Sequence, residues 1–258
     1  MTAADGAVLA GLGWGGLAIA VGTVAFAGFI RGFLGFGASL IIVMVLSALV
    51  GPAQAIPLGV FSGLVATVQL IPDAVRGAER SFMVPFWIAA FIAAPIGAWG
   101  LVLIEPGVLK IAISVLVLAM TWMMYRGWRM RNVHDPKVFA FAGVAAGLLQ
   151  GIAGIGGPPA VAVALARPGT AERQRANVIG ALTALSVFGI FAYLLHGLFT
   201  RDVLILGLVL LPVNSGSTWA GQKFFHGGGQ AHYRNAALLA LAAVGVVTLA
   251  LAVGDSLK

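Results

Sequence analysis

The arginine at position 31 is the residue that most clearly indicates chemistry in this sequence. Arg31 is the one charged residue in the 67 positions from Gly6 to Pro72, a predominantly apolar stretch. A charged side chain inside a membrane segment costs at least about 2.5 kcal/mol on insertion scales, so it is expected to face a cavity or a partner. Because no acidic residue lies in this stretch, a mobile anion is the natural partner of the guanidinium. An alternative interpretation places Arg31 at a cytoplasmic turn between two full helices, where it would only add positive charge to that side.

Glycine and proline patterns predict two breaks in otherwise helical segments. They are Gly35-x-Gly37 and the run 154–159, which reads Gly-Ile-Gly-Gly-Pro-Pro. Glycine permits positive φ angles and proline donates no backbone N–H, so a helix must stop and restart there. A restarted helix aims free N–H groups and a partial positive charge at its surroundings. Two such breaks facing each other near the bilayer midplane would form a site for an anion.

Neutral polar residues complete the predicted site. Gln150 is the repeat equivalent of Arg31 and offers amide donors to the same ligand. Asn214 follows Pro212, whose missing donor weakens the helix beside it. Amides and hydroxyls in membranes also form hydrogen bonds between helices, and for any single residue of this kind we favour that structural role. The predicted substrate-binding residues, with no catalytic and no metal-binding residue among them, are Arg31, Gly35, Phe36, Gly37, Ser39, Gln150, Gly154, Gly156, Gly157, Asn177 and Asn214.

The composition excludes a water-soluble protein. Of the 258 residues, 60% are hydrophobic and 9% are charged, against roughly 25% charged in soluble domains. A net charge of +7 would suggest nucleic-acid binding in a soluble chain, but here the basic residues lie in short loops between apolar segments. The sequence has no cysteine, four histidines and neither an HExxH nor a GxSxG motif. We therefore predict no cofactor, no metal centre and no enzymatic activity.

Charges, prolines and glycines divide the chain into the apolar segments of an all-α polytopic membrane protein. The four glycines of 28–37 recur in 147–156 at an offset of 119 residues, which indicates an internal repeat. Each half holds a helix-break-helix, re-entrant-like hairpin and three transmembrane helices. Because three is odd, the second half must be inverted relative to the first. The first repeat, 1–131, comprises hairpin 9–50 and helices 54–71, 82–104 and 108–125, and the second, 132–258, comprises hairpin 138–166 and helices 177–197, 202–221 and 235–254.

Lysine and arginine positions indicate the orientation, since short cytoplasmic loops carry the positive excess. If each hairpin returns to its starting side, eleven of these residues lie on one side and three on the other. If each hairpin is instead one broken crossing, the split is eight to six. We therefore predict returning hairpins, both termini in the periplasm, and cytoplasmic loops at 72–81, 126–137, 167–176 and 222–234.

At the hairpins the sequence resembles the TauE/SafE family of membrane anion transporters, also called the sulfite exporter family. The resemblance lies in the runs 32–37, 147–159 and 173–177, and it covers essentially the whole chain. It departs from the family's commoner Gly-Gly run where Ala38 and Ser39 follow Gly37. The resemblance implies a multi-pass protein of the bacterial cytoplasmic (inner) membrane. Its expected substrates are sulfite, sulfonates such as sulfoacetate, or related sulfur-containing or organic anions, carried by alternating access around a midplane site.

Other functions compete with this one. An anion channel would conduct far faster than a transporter and would lack exchange. A membrane-embedded enzyme finds no supporting motif, and an assembly factor would leave Arg31 unexplained. The acidic residues fall at segment ends, which favours uniport or exchange over proton coupling. The predicted partners are a small anionic substrate and the lipid bilayer, with no nucleic acid, and a homo-oligomer is compatible with the sequence.

Overall fold

A computed structural model describes residues 7–103, 122, 126, 135–153, 156–195, 199–240, 242–243 and 246, and every regular element in these ranges is helical. Toward the end of the described chain, a short 3-10 helix lies at Gly229–His232, and residues 233–240 are helical. The α-helices whose two ends lie in these ranges include α1 (Ala7–Leu34), α2 (Ala38–Val50), α3 (Pro52–Ser62), α4 (Leu64–Gly77), α5 (Arg80–Leu103), α6 (Pro136–Ala153), α7 (Gly157–Ala166), α8 (Ala171–Leu195) and α9 (Arg201–His226).

Three described helices are long and apolar enough to cross a bilayer. They are Gly13–Leu34 in α1, Arg80–Gly97 in α5 and Arg201–His226 in α9. Large apolar side chains on α5 are exposed, among them Phe91 at 61% and Ile96 at 60%. Apolar surface of this extent is unfavourable in water and favourable against lipid chains. The prediction of an all-helical, multi-pass membrane protein is therefore confirmed.

The chain forms two compact units. The first comprises Met1–Pro72 and Ser186–Gly229, and the second comprises Asp73–Leu185 and Gln230–Lys258. In the first unit, α1 packs on α2 and α9, and α3 packs on α2 and α9. In the second unit, α5 packs along α6, which also contacts α7. Each unit thus combines one hairpin with a helix from the other predicted half. The predicted boundary between the two repeats, at residues 131 and 132, stays a prediction.

Both predicted hairpins have one arm too short to cross a bilayer. Helix α2 has 13 residues and α7 has 10, which correspond to about 20 Å and 15 Å against a hydrocarbon core of about 30 Å. Each short arm packs beside the longer arm that precedes it, α2 beside α1 and α7 beside α6. The chain therefore folds back at each break instead of continuing in one direction.

Glycines allow α1 and α9 to approach closely in the first unit. A Cβ atom on Gly28 would lie 2.9 Å from the carbonyl oxygen of Asn214, and one on Gly221 would overlap the carbonyl oxygen of Phe29. Both of these contacts would be closer than van der Waals contact, so a residue larger than glycine would push the two helices apart. Gly28 and Gly32 form a small-xxx-small pattern, and both lie against α9 in the packing role that such patterns have in membranes.

The same contact recurs between α5 and α6 in the second unit. A Cβ atom on Gly147 would lie 2.5 Å from the carbonyl oxygen of Ala90, and one on Gly97 would overlap the carbonyl oxygen of Leu148. Gly147 and Leu148 follow Gly28 and Phe29 by the offset of 119 residues. The residues that they contact are also related by a single offset, because Asn214 follows Ala90, and Gly221 follows Gly97, by 124 residues. The first arms of the two hairpins therefore make the same pattern of close glycine contacts, one with α9 and the other with α5.

The predicted helix 54–71 is two helices in the structure. Helix α3 ends at Ser62 and α4 begins at Leu64, with Gly63 between them and Pro57 and Pro72 inside the two helices. The sequence contains the cause, because proline removes a helical donor and glycine weakens a helix. Predicted helix 108–125 lies outside the described residues except for Trp122, and predicted helix 235–254 is described only in part.

Candidate functional site

Arg31 lies in the last turn of α1 and not in a turn between two full helices. The helix continues to Leu34, and the arm that follows it, α2, is too short to span. Its guanidinium Nη2 donates a hydrogen bond of 2.5 Å to the hydroxyl oxygen of Thr67 on α4. Within the described part of the chain no carboxylate forms an ion pair with Arg31. The hydrogen-bond partner that the structure gives this guanidinium is thus a neutral hydroxyl group.

The break between α3 and α4 receives the guanidinium. A Cβ atom built on Gly63 would lie 2.8 Å from Nη1 of Arg31, so glycine leaves the space that the arginine occupies. The Thr67 hydroxyl in turn donates 2.9 Å to the carbonyl oxygen of Gly63. Arg31 thus reaches from the first hairpin to the junction of α3 and α4, where the backbone hydrogen bonds continue from Gly63 N–H to Gly59 and from Thr67 N–H to Gly63.

The first hairpin break has the backbone geometry that the sequence predicts. Gly35 has φ +87° and Gly37 has φ +95°, both in the left-handed region that favours glycine. Gly35 N–H is used locally, because it donates 2.7 Å to the carbonyl oxygen of Arg31. Phe36 is buried, whereas Ser39 is exposed. Among these residues, the exposed side chain of Ser39 has the least favourable position for contact with a buried ligand.

The second hairpin break differs from the prediction in one respect. Gly156 has φ −75°, an ordinary helical value, so positive φ is not the reason for glycine there. A Cβ atom on Gly156 would lie 2.5 Å from the carbonyl oxygen of Ala146, and the Gly156 N–H donates 3.0 Å to Oε1 of Gln150. Glycine is therefore required by close approach between the two arms. A Cβ atom built on Gly157 would lie 3.6 Å from Cδ2 of Leu182, which is an ordinary van der Waals contact, and Gly154 lies outside the described residues.

Gln150 has two sides with different roles. Its carbonyl oxygen caps the N-terminal end of α7 by accepting from Gly156, so that backbone donor is already occupied. Its amide nitrogen is the group that remains suited to an anionic ligand, as predicted for the repeat equivalent of Arg31. Because Gln150 belongs to the second unit and Arg31 to the first, each is described within its own unit.

Asn177 has a structural partner. Its side chain is buried at 1% exposure, and its Oδ1 accepts a 2.8 Å hydrogen bond from the backbone N–H of Glu79, just before α5 begins. An acceptor at this position satisfies one of the free donors of the helix start. The interhelical role that we favoured for single amides of this kind describes Asn177.

Asn214 is a buried amide with one unpartnered atom. The side chain is at 0% exposure, and its Oδ1 lies 3.3 Å from the hydroxyl of Thr218, which also lies 3.2 Å from the carbonyl oxygen of Gly28. Within the described ranges Nδ2 has no hydrogen-bond partner. Rotation of the amide would exchange the two atoms and leave the oxygen unpartnered instead. Buried polar atoms are rarely left without a partner, so a ligand or water is expected there.

The structure brings six of the predicted residues into one unit. The first unit holds the first-hairpin residues and Asn214, and the second unit holds the described second-hairpin residues and Asn177. Sequence reasoning missed Gly63 and Thr67. A signal was present in the alternation of Pro57, Gly63 and Pro72 within one apolar segment, because these residues interrupt helices.

The arrangement in the first unit suits recognition of an oxyanion. A guanidinium offers five N–H donors in a planar fork, and Thr67 uses one of them. The remaining donors match the geometry of the oxygen atoms of an oxyanion. The described residues contain no cluster of three or more metal-ligating side chains.

Comparison with known proteins identifies the family. The model of the sulfite exporter TauE/SafE family matches residues 18–248, which include both hairpins, Arg31 and Gln150. Searches among curated proteins and among solved structures give no match. Since the family model spans most of the chain and a membrane-protein fold accompanies it, this protein belongs to the TauE/SafE family of membrane sulfite exporters.

Proposed function

We propose that this protein transports sulfite or an organosulfonate such as sulfoacetate across the bacterial inner membrane, by alternating access around a midplane site. Family membership supports the transport of a small sulfur-containing anion. The observation that carries the proposal is the guanidinium of Arg31, which lies at the α3–α4 junction against Thr67 and Gly63 and has no carboxylate partner among the described residues. A cation at membrane depth needs compensation, and a mobile anion supplies it.

The proposed site has a charged part and a neutral part. Arg31 binds the oxygen atoms of the anionic head, and the amide of Asn214 in the same unit adds a neutral donor. Gln150, the repeat equivalent of Arg31, stays the candidate that the sequence predicts for a further neutral donor. The backbone N–H groups near Gly37 are also included, whereas the Gly156 N–H is left out because Gln150 occupies it. A charged donor contributes more than a neutral one, so Arg31 dominates the affinity.

Ion pairs in the second unit support the proposed topology. Arg175 Nη1 lies 2.6 Å from Asp73 Oδ2, and Arg167 pairs with Glu79, so loops 72–81 and 167–176 contact each other. Between these two loops the chain crosses the membrane once with α5 and once back with the predicted helix 108–125. The loops can then lie on the same side of the membrane only if the second hairpin returns to its starting side. A hairpin that crossed would separate them. Both loops are proposed to be cytoplasmic, with both termini periplasmic.

The equivalent glycine contacts support the proposed inverted repeat. The first arm of each hairpin packs against the second spanning helix of the other half, with the same backbone positions in contact. A repeat with an odd number of spanning helices must place its halves in opposite orientations. Alternating access by movement of two related halves is the usual consequence of this architecture.

Binding of anions to Arg31 variants tests the function. We expect purified wild-type protein to bind sulfite or sulfoacetate, and Arg31→Ala to bind roughly 10-fold to 150-fold more weakly, as for the loss of one charge-assisted contact. Arg31→Lys should also bind weakly because an ammonium lacks the planar fork. Gln150→Ala should lose only about fivefold, since a neutral amide contributes about 1 kcal/mol. Arg31→Ala binding within about a factor of two of wild type, in folded and inserted protein, would refute the assignment of the site.

Reconstitution in vesicles separates a transporter from the alternative, an anion channel. A transporter saturates with substrate and exchanges labelled anion inside for unlabelled anion outside. A channel conducts far faster and shows no such counterflow. Absence of counterflow together with a measurable single-molecule current would favour the channel.

A further inference from the structure

Thr67 has a hydroxyl group whose single hydrogen is already used. Its Oγ1 donates to the carbonyl oxygen of Gly63 at 2.9 Å, one turn earlier in the chain. The same oxygen accepts from Nη2 of Arg31 at 2.5 Å. A hydroxyl has one donor hydrogen and two acceptor lone pairs, so this oxygen faces Arg31 as an acceptor. Thr67 therefore cannot donate to an anion in this arrangement and can only hold the guanidinium.

Gly63 affects the position of the same guanidinium because its lack of a side chain leaves space for Nη1 of Arg31. A Cβ atom there would lie 2.8 Å from Nη1 of Arg31, closer than non-bonded carbon and nitrogen atoms approach. The same Cβ atom would lie 3.2 Å from the backbone oxygen of Gly59 and 3.6 Å from that of Val60. The tightest contact is thus with the far end of a flexible side chain, which can move without unfolding the helix.

We propose that Thr67 and Gly63 are positioning residues that set the direction of the Arg31 guanidinium toward the transported anion, Thr67 by accepting one N–H and Gly63 by leaving space for Nη1. This inference rests on the proposed role of Arg31 in anion binding. One edge of the guanidinium is held against the α3–α4 junction, and the other donors are presented to the ligand. Neither Thr67 nor Gly63 contacts the anion in this scheme, so their effects pass through Arg31.

The distinguishing experiment is a double-mutant cycle on sulfite binding. Thr67→Val removes the acceptor while keeping a similar shape, and we expect about tenfold weaker binding of sulfite to the purified full-length protein. Thr67→Ser keeps the hydroxyl and should bind within about a factor of two of wild type. In an Arg31→Ala background, Thr67→Val should cause no further loss, because the residue it positions is absent.

Gly63→Ala gives a second route to the same result. The added Cβ displaces Nη1, so we expect weaker sulfite binding by a factor similar to that of Thr67→Val, with normal insertion and an unchanged unfolding temperature in the absence of sulfite. The matched control is Gly216→Ala on α9, where a Cβ atom meets nothing within 4 Å. This control should leave sulfite binding unchanged.

The outcomes separate this inference from the function on which it rests. Wild-type binding by both Thr67→Val and Gly63→Ala, with Arg31→Ala still impaired, would overturn the positioning role and leave the anion site intact. Losses from Thr67→Val and Arg31→Ala that add in the double variant would also overturn it, since additivity indicates an independent effect. Wild-type binding by Arg31→Ala would instead refute the proposed function.

Discussion

The ion pair between Arg167 and Glu79 supports a quantitative prediction about stability. Arg167 is 2% exposed, and its guanidinium carbon lies 5.6 Å and 4.7 Å from the ring centroids of Phe82 and Phe139. One nitrogen donates to the Glu79 carboxylate, while Nε and Nη1 have no partner in the described ranges. Burial lowers the pKa of Arg167 from its ordinary value, and Glu79 opposes that shift. Glu79→Gln removes this compensating charge while keeping the side-chain shape.

The expected cost of Glu79→Gln follows from competing contributions. Removing one partner of a buried ion pair costs about 3–5 kcal/mol, because the other charge is left uncompensated. The Glu79 side chain is 24% exposed, so water screens part of the interaction. The two aromatic faces continue to stabilise the cation by about 0.5–2 kcal/mol. We therefore expect a net loss of about 2–3 kcal/mol in the free energy of unfolding.

Thermal unfolding of the purified protein in detergent provides the measurement. Glu79→Gln should lower the unfolding temperature clearly more than Glu172→Gln, because Glu172 is exposed on the first turn of α8 and water screens the interactions of an exposed carboxylate. Arg167→Met removes the buried charge and keeps an apolar stem, so it should be less destabilising than Glu79→Gln. Combining the two should recover part of the loss, since no buried cation then remains. If Arg167→Met were the more destabilising single change, the unpaired cation could not be the source of the cost.

Further predictions concern packing, pH and topology. Gly221→Ala and Gly97→Ala should each lower the free energy of unfolding by about 1–3 kcal/mol through overlap with backbone, while Gly216→Ala should not, as unfolding temperatures will show. Burial raises the pKa of the Tyr233 hydroxyl above its ordinary value of 10.0. With rising pH the hydroxyl therefore loses its proton in the unfolded chain before it does so in the folded protein. The free energy of unfolding then falls as the pH rises above the ordinary value. The unfolding temperature of Tyr233→Phe should therefore fall less between about pH 9 and pH 11, and an equal fall in both proteins would contradict this explanation. An Asp5→Cys variant of this cysteine-free chain should react with an impermeant thiol reagent from the periplasmic side, and labelling only from the cytoplasmic side would contradict the topology.

Much of the first hairpin was predictable because its determinants are local. Gly35 and Gly37 adopt positive φ as predicted, since few other residues enter that region without strain. The short arms were also predictable, because length and hydropathy limit what can cross a bilayer. Gly156 shows where local reasoning fails, since its glycine is required by the approach of Ala146 from the preceding arm. Such a contact depends on how two helices pack and leaves no local signal.

The site residues divide in the same way. Arg31 was identifiable because a lone charge in an apolar segment is costly wherever it lies, whereas Asn177 could not be separated from a ligand-binding amide by sequence alone. Its partner is the backbone N–H of Glu79, 98 positions away in the chain. Thr67 was missed for the related reason that its hydroxyl gains a role only when α4 brings it to Arg31, 36 positions away.

The sequence by itself determined the membrane environment, the helical class, the two breaks and the family, because these depend on hydropathy, backbone preference and motifs along the chain. Tertiary structure alone decided which helices each hairpin meets, that Gly63 and Thr67 lie beside Arg31, and that Gln150 caps α7. The physical reason is the range of the interactions. Torsional preferences and transfer free energies act residue by residue, whereas close packing and buried hydrogen bonds require two distant segments to be placed together before either contributes.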